Sequence, residues 1–190
     1  MASTTNPNVK KSLITLPAPH FVVFETPLPT ATVLAHLDKE LHRDEVHGII
    51  DTVTKELKSQ EEFEAKIGSI TNGGGDIIYM NSIPMHSLTT LRTGNPSPPL
   101  IVHYMLGNPL YAQRIIKLNP LAGASIPPRL VVAENEDKSG TRIAYNLPSA
   151  VMRHPFGEED EELRKELEVL DERFEDLVMR VIDSAAASAA

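Results

Sequence analysis

The sequence predicts an α+β fold, an antiparallel sheet packed against one long C-terminal helix. Three observations carry that prediction. Leu100–Leu106 (LIVHYML) is an almost unbroken apolar run fenced by Pro99 and Gly107, the pattern of a central strand. Arg129–Asn135 and Thr141–Asn146 are strand-like runs joined by Asp137-Lys138-Ser139-Gly140, a tight hairpin turn. From about Glu158 to Ser184, the residues Leu163, Leu167, Leu170, Phe174, Leu177 and Val181 alternate spacings of four and three. That spacing draws one straight apolar stripe along a helix.

Taken in order, residues 1–10 are polar and expected to be disordered, and a single domain is expected over 11–184. Ser12–Leu16 and His20–Thr26 are short strand-like runs split by Pro17 and Pro19, which suits a sheet edge. Thr30 can cap a helix on which Val33, Leu34, Leu37 and Leu41 share a face. Glu45–Ile67 reads as helix broken near Ser59, with Ile49, Ile50, Val53, Leu57, Phe63 and Ile67 on its apolar side. β-Branching alone would allow a strand over Gly48–Val53 instead. Thr71–Gly75 is a turn, Asp76–Ser82 a strand, Met85–Leu91 a single helical turn and Thr93–Pro99 a loop. Beyond Leu106, Gly107 turns the chain, Asn108 caps a short helix and Pro109 fits its first turn. Asn119-Pro120 stops that helix and Pro127-Pro128 leads into the next strand. The tail 185–190 is low in complexity and expected to be disordered.

The run GNPLYAQRIIKLNPLAGASIPPRLVV resembles the signature of the domain of unknown function 302 family, particularly its fungal members. The matching pieces are Gly107-Asn108-Pro109, Asn119-Pro120-Leu121-Ala122-Gly123 and Pro127. A weaker likeness extends to Tyr145-Asn146-Leu147-Pro148-Ser149 and to the acidic last helix. The resemblance implies a β-α-β-β-β-α layout similar to TATA-binding-protein and helix-grip folds, and it implies no established activity. Many bacterial relatives carry Cys where Gly107 stands, so thiol chemistry of that branch does not carry over. Many fungal relatives have an Asn-His pair just after the strand equivalent to Asp76–Ser82. Here the chain reads Ser82-Ile83-Pro84, with His86 displaced.

Composition removes whole classes of function. With no Cys there are no disulfides, thiolate zinc sites, iron–sulfur clusters or cysteine nucleophiles. No apolar run approaches the roughly 20 residues of a membrane span, and the expected location is cytoplasmic, with no membrane partner. The net charge of −8 is concentrated, since Glu158–Asp176 holds eleven acids and three bases while the rest balances at fifteen of each. A neutral body with one acidic helix does not suit nucleic acid.

The chemistry-bearing residues are few. His36, His42 and His47 are spaced by six and five, which does not align them on one helix face, so no metal is expected. Gly73-Gly74-Gly75 lacks the Lys-Ser/Thr ending of a phosphate loop, Ser87 and Ser125 lack a nucleophile elbow, and no cofactor is expected. The helix start after Asn108 could face an anion. A structural role is preferred there, because Gly94-Asn95-Pro96 repeats the tripeptide in a loop. Along the Leu100–Leu106 strand, alternation places Ile101, His103 and Met105 on one face and Leu100, Val102, Tyr104 and Leu106 on the other. The second set is the better core face, which turns His103 towards a cleft or a partner.

Three readings of function follow. The first is a small-molecule-binding domain with an apolar cleft between the sheet and the long helix, taking an apolar or anionic ligand. Tyr79, His103, Tyr104 and Tyr145 are the polar-tipped residues expected to line it, joined by His86 and Asn108. The second is an enzyme of secondary metabolism using the same cleft, with His86 or His103 as general base. The third is a homodimer without catalysis, because strands apolar on both faces need cover on both sides. The residues do not decide whether the protein is an enzyme.

Overall fold

A computed structural model describes residues 20–46, 49–71, 75–155 and 160–189. The expectations for residues 1–10, Ser12–Leu16, His47 and Gly73-Gly74 lie outside the described residues. The strands are β1 (Phe21–Thr26), β2 (Ile78–Pro84), β3 (Ile101–Gly107), β4 (Arg129–Glu134) and β5 (Thr141–Asn146). The helices are α1 (Thr30–Glu40), α2 (Ile49–Asp51), α3 (Gln60–Ile70), α4 (His86–Thr93), α5 (Pro109–Leu118), α6 (Pro148–Val151) and α7 (Glu161–Ala189). A π-helical turn, Thr52–Glu56, continues α2, and a 3₁₀ turn, Pro120–Ser125, follows α5.

Every neighbouring pair of strands is antiparallel, in the order β1-β5-β4-β3-β2. Register decides what each face presents. Val22 lies opposite Tyr145, Tyr145 opposite Leu130, and Leu130 opposite Tyr104. One step along, Phe24, Ile143, Val132 and Val102 make a second row. This face is covered by α1 and α7, and the six stripe residues predicted for the last helix are all buried against it. The Phe174 ring sits 5.4 Å from that of Tyr145. Thr141 Oγ1 donates to the Leu28 carbonyl and pairs with Thr30 Oγ1, both at 2.8 Å, tying the entry of α1 to β5. Gly140 permits this approach, because a Cβ there would run into the Thr26 carbonyl and Pro27.

The opposite face is open. Its central row runs Val23, Ala144, Val131, His103, Ile83 across all five strands. Phe21 is 63%, Val23 47% and Ile83 42% exposed, values that no covering layer would allow.

Four local outcomes refine the sequence reading. The stretch that could be helix or strand at 45–58 is helical over 49–56, and the chain is extended at Leu57 before Ser59 caps α3 by accepting from Glu62 N. The single turn expected at Met85–Leu91 is the eight-residue α4, none of whose residues is buried. The alanine-rich tail, expected to be disordered, instead prolongs α7 to Ala189. Its Ala185 is the next position of the stripe and is 0% exposed. Finally, the cleft expected between sheet and long helix is filled. Phe174, Leu177 and Val181 meet Tyr145, Leu130 and Ile143 in one continuous core.

Truncating Phe174 to Ala removes a wholly buried ring from this interlayer and should cost about 3–5 kcal/mol. Val169→Ala, on the exposed side of the same helix, should stay within about 0.5 kcal/mol. Urea denaturation of both variants measures the contrast, and equal effects would contradict the assigned faces.

Candidate functional site

The six residues singled out in the sequence fall into five places. His103 stands on the open face, opposite Ile83 and Val131. Its pKa is held below the ordinary histidine value, first by burial and then by the Arg129 charge, so the imidazole stays neutral further into acid. His86, at the start of α4, sets Nδ1 3.1 Å from the Ile101 carbonyl and 3.4 Å from the Ile101 backbone nitrogen, so its ring pairs with the first residue of β3 in either tautomer.

Tyr79 and Tyr104 come together on the covered side, edge to face at 6.3 Å. Tyr104 donates to Asp38 Oδ1 at 2.9 Å, and Asp38 Oδ2 accepts from Arg43 at 2.7 Å. The Arg43 guanidinium lies over the Tyr79 ring at 4.8 Å, and the Tyr79 hydroxyl meets Ser82 Oγ at 3.0 Å. Burial, then the neighbouring Asp38 charge, pushes the Tyr104 phenol far up, so it remains a donor and cannot serve as a base. The cluster locks the end of α1 onto β2 and β3. Tyr145 lies elsewhere in the interlayer, between Phe24 and Phe174, and burial beside Glu175 and Asp171 pushes its pKa up to about 12.

Asn108 is committed to backbone. Its Oδ1 accepts from Leu110 N at 2.8 Å, capping α5, and its Nδ2 donates to the Asp76 carbonyl at 2.8 Å. The recess beside it holds only about 10 Å³, too little for a ligand. Asn119 repeats the device one element later, accepting from Leu121 N and donating to the Met152 carbonyl at 2.9 Å. Both Asn-Pro steps are therefore caps that pin a distant segment. No group of three or more His, Asp or Glu side chains is arranged to hold a metal ion among the described residues.

The site that sequence reasoning missed is a groove of about 600 Å³ on the flank of the sheet. One wall is Ile49, Val53, Leu57 and Phe63, from α2, the π-helical turn and α3. The facing wall is Pro109, Ala112 and Ile116 of α5, and the floor is Met80 with Ile126 and Pro127. At the mouth, Gln60 and Gln113 exchange hydrogen bonds, Gln60 Nε2 to Gln113 Oε1 at 3.1 Å and the reverse at 2.7 Å. These carboxamides join α3 to α5 across solvent. The one available signal was the four-residue spacing of Ile49, Val53 and Leu57, which looks the same for a groove wall as for a core face. A π-helical turn forming part of such a wall is notable, since π-helical geometry concentrates at functional sites.

The family model for the domain of unknown function DUF302 matches residues 82–181, more than half of the chain. The chain belongs to the DUF302 family. An uncharacterized conserved DUF302 protein from Bacillus stearothermophilus, known from its crystal structure, has the same fold, with a TM-score of 0.55. The likeness covers 85% of this chain and 97% of that one at 14% identity. No curated protein matches the chain. The DUF302 stretch contains β3, both Asn-Pro caps and most of α7, whereas the wall from Ile49 to Phe63 lies before it. No helix among the described residues is long and apolar enough to cross a membrane.

Replacing Asn108 by Ala removes a cap and leaves the Asp76 carbonyl without its buried donor, a loss of about 1–3 kcal/mol. Chemical denaturation of the variant measures this. A loss below about 0.5 kcal/mol would show that the turn is not the structural clamp described.

Proposed function

We propose that this DUF302 protein is a small-molecule-binding domain whose ligand occupies the groove between α3 and α5. One observation carries the reading, a concave apolar space of about 600 Å³ with its polar groups confined to the mouth. That volume lies inside the range of about 300–1,000 Å³ typical of ligand sites, and the lining has the usual composition of such sites. The groove takes the place of the cleft expected beneath the long helix. Tyr79, Tyr104, Tyr145 and Asn108 support the scaffold in this reading, and His86 and His103 lie outside its lining. Binding without catalysis is favoured, because the walls carry no nucleophile-base pair. Native mass spectrometry of the purified protein should find a retained small molecule, and the neutral dye Nile red should bind and be displaced by it. Ala112→Phe and Ile116→Trp, which project bulk into the groove from one wall, should each weaken dye binding at least tenfold with the melting temperature held. Undiminished dye binding in both variants would overturn the reading.

A second reading concerns the open sheet face, favoured by the exposure of Phe21, Val23 and Ile83 in line with Val131 and Ala144. We propose that a second copy of the chain covers it. From strand spacing and rise, the face measures about 20 by 24 Å. With side-chain relief, that approaches the roughly 800 Å² per partner of a stable interface. His103 lies within the apolar row, so association favours its neutral form. Dimer stability should be full above a pH of about 6.5 and should fall as pH drops through the lowered pKa of His103. Sedimentation equilibrium at pH 7.5 should give a dimer, with dissociation in acid and in the Phe21→Lys, Ile83→Lys double variant. A monomer at micromolar concentration and pH 7.5 would refute it.

A further inference from the structure

We infer that the ligand of the groove is a neutral amphiphile, an extended hydrocarbon or aromatic body bearing one hydroxyl, carbonyl or amide group at its end. This rests on the groove being a binding site and names what it selects.

Among the described lining residues, the side chains of the interior carry no hydrogen-bonding group. Its floor and inner walls are Met80, Ala112, Ile126, Phe63 and two prolines, Pro109 and Pro127, which have no backbone N–H to donate. Among the described residues, the one buried side-chain polar atom without a partner is Asn135 Oδ1, and it lies by the β4–β5 hairpin, away from the groove. A sugar, a nucleotide or an amino acid buried here would lose its hydrogen bonds to water and regain none, at a cost apolar contact does not offset. The buried part of the ligand must therefore be apolar.

The mouth decides the charge of the other end. Among the described residues that line the groove, Lys58 is the one cation. Glu62 accepts from the Lys58 backbone N–H at 2.9 Å, and Glu64 accepts from Gln60 Nε2 at 2.8 Å, so two carboxylates are bonded to residues of the mouth. Two negative charges beside one positive disfavour an anionic head group. What the mouth does offer is the Gln60–Gln113 pair. Each carboxamide is exposed, so their mutual hydrogen bonds are easily exchanged for those of an incoming hydroxyl or carbonyl. A carboxamide both donates and accepts, which suits a neutral head group of either kind. The lining thus selects by exclusion of polarity inside and of negative charge outside.

Calorimetric titration of the full chain at pH 7 and low ionic strength with 1-octanol, octanoate and 1-decanol tests this. The expected result is binding of 1-octanol, octanoate at least tenfold weaker, and affinity rising about fourfold per added methylene. Neutralising the mouth by Glu62→Gln with Glu64→Gln should bring octanoate to within about threefold of 1-octanol. Gln113→Leu should weaken 1-octanol several-fold while leaving the methylene increment unchanged. If no alkyl probe binds, or if Ala112→Phe and Ile116→Trp bind 1-octanol as the parent does, the groove reading fails and this inference fails with it. If 1-octanol binds in the groove but octanoate matches or exceeds it, the groove stands and neutral selection is overturned.

Discussion

The constraint on which the rest of the molecule depends is the packing of one helix face across one sheet face. α7 runs for 29 residues, and its stripe from Leu163 to Val181 meets two rows of the sheet set by strand register. A slip of one residue in the β3–β4 pairing would turn one strand over against the other, bringing His103 in place of Tyr104, or Val131 in place of Leu130, beneath the helix. Tyr104 guards against that slip, because its hydroxyl reaches Asp38 on α1 only from the covered face. Register, helix docking and the Asp38–Arg43–Tyr79 lock are therefore one arrangement. The acidic surface of α7 follows as well, since its apolar half is fully used and most of its charge falls on the half turned to solvent.

The residues through which the chain resembles its DUF302 relatives turn out to be carpentry. Asn108 and Asn119 each start a helical segment and hold a carbonyl 32 or 33 residues away in sequence. Asp171 of α7 does the corresponding work for Ser149, accepting its backbone N–H at 2.9 Å. Burial raises the pKa of that carboxyl, the opposite of what capping alone would do, which marks a group kept for position. A signature made of caps and corners specifies a fold and leaves its chemistry open.

Much of this was legible because it is periodic or local. The stripe of α7, the alternation of β3, the Asp137–Gly140 turn and the helix break near Ser59 are all written within short windows. The continuation of the helix to Ala189 was not, because alanine and serine carry little apolar signal and the burial of Ala185 depends on α1 being alongside. The tyrosines of the expected cleft were misjudged for a related reason. A tyrosine reads as polar-tipped, but the partners that satisfy Tyr104 lie 66 residues away and cannot be seen from its own strand. The groove was invisible because it is a property of two helices that fail to pack closely along their length.

That failure has a physical origin. The main core gathers twenty-one buried residues between the sheet and α1, α5 and α7, whereas Val46, Ile49, Ile67, Ile70 and Ile78 form a separate, smaller cluster over β2 among the described residues. α3 is docked through this satellite cluster, and Phe63 and Val53 pack at its margin. Its hold on α5 is the exposed Gln60–Gln113 pair together with Leu110, which packs on the same satellite cluster. A region with few buried contacts and solvent-exposed hydrogen bonds sits at the low end of local stability. The α3 wall of the groove therefore has fewer buried contacts behind it than the α5 wall, which is capped by Asn108 and docked on α7. In the proposed reading, a lightly held wall opposite a firmly docked one suits the entry of an apolar body without disturbing the sheet.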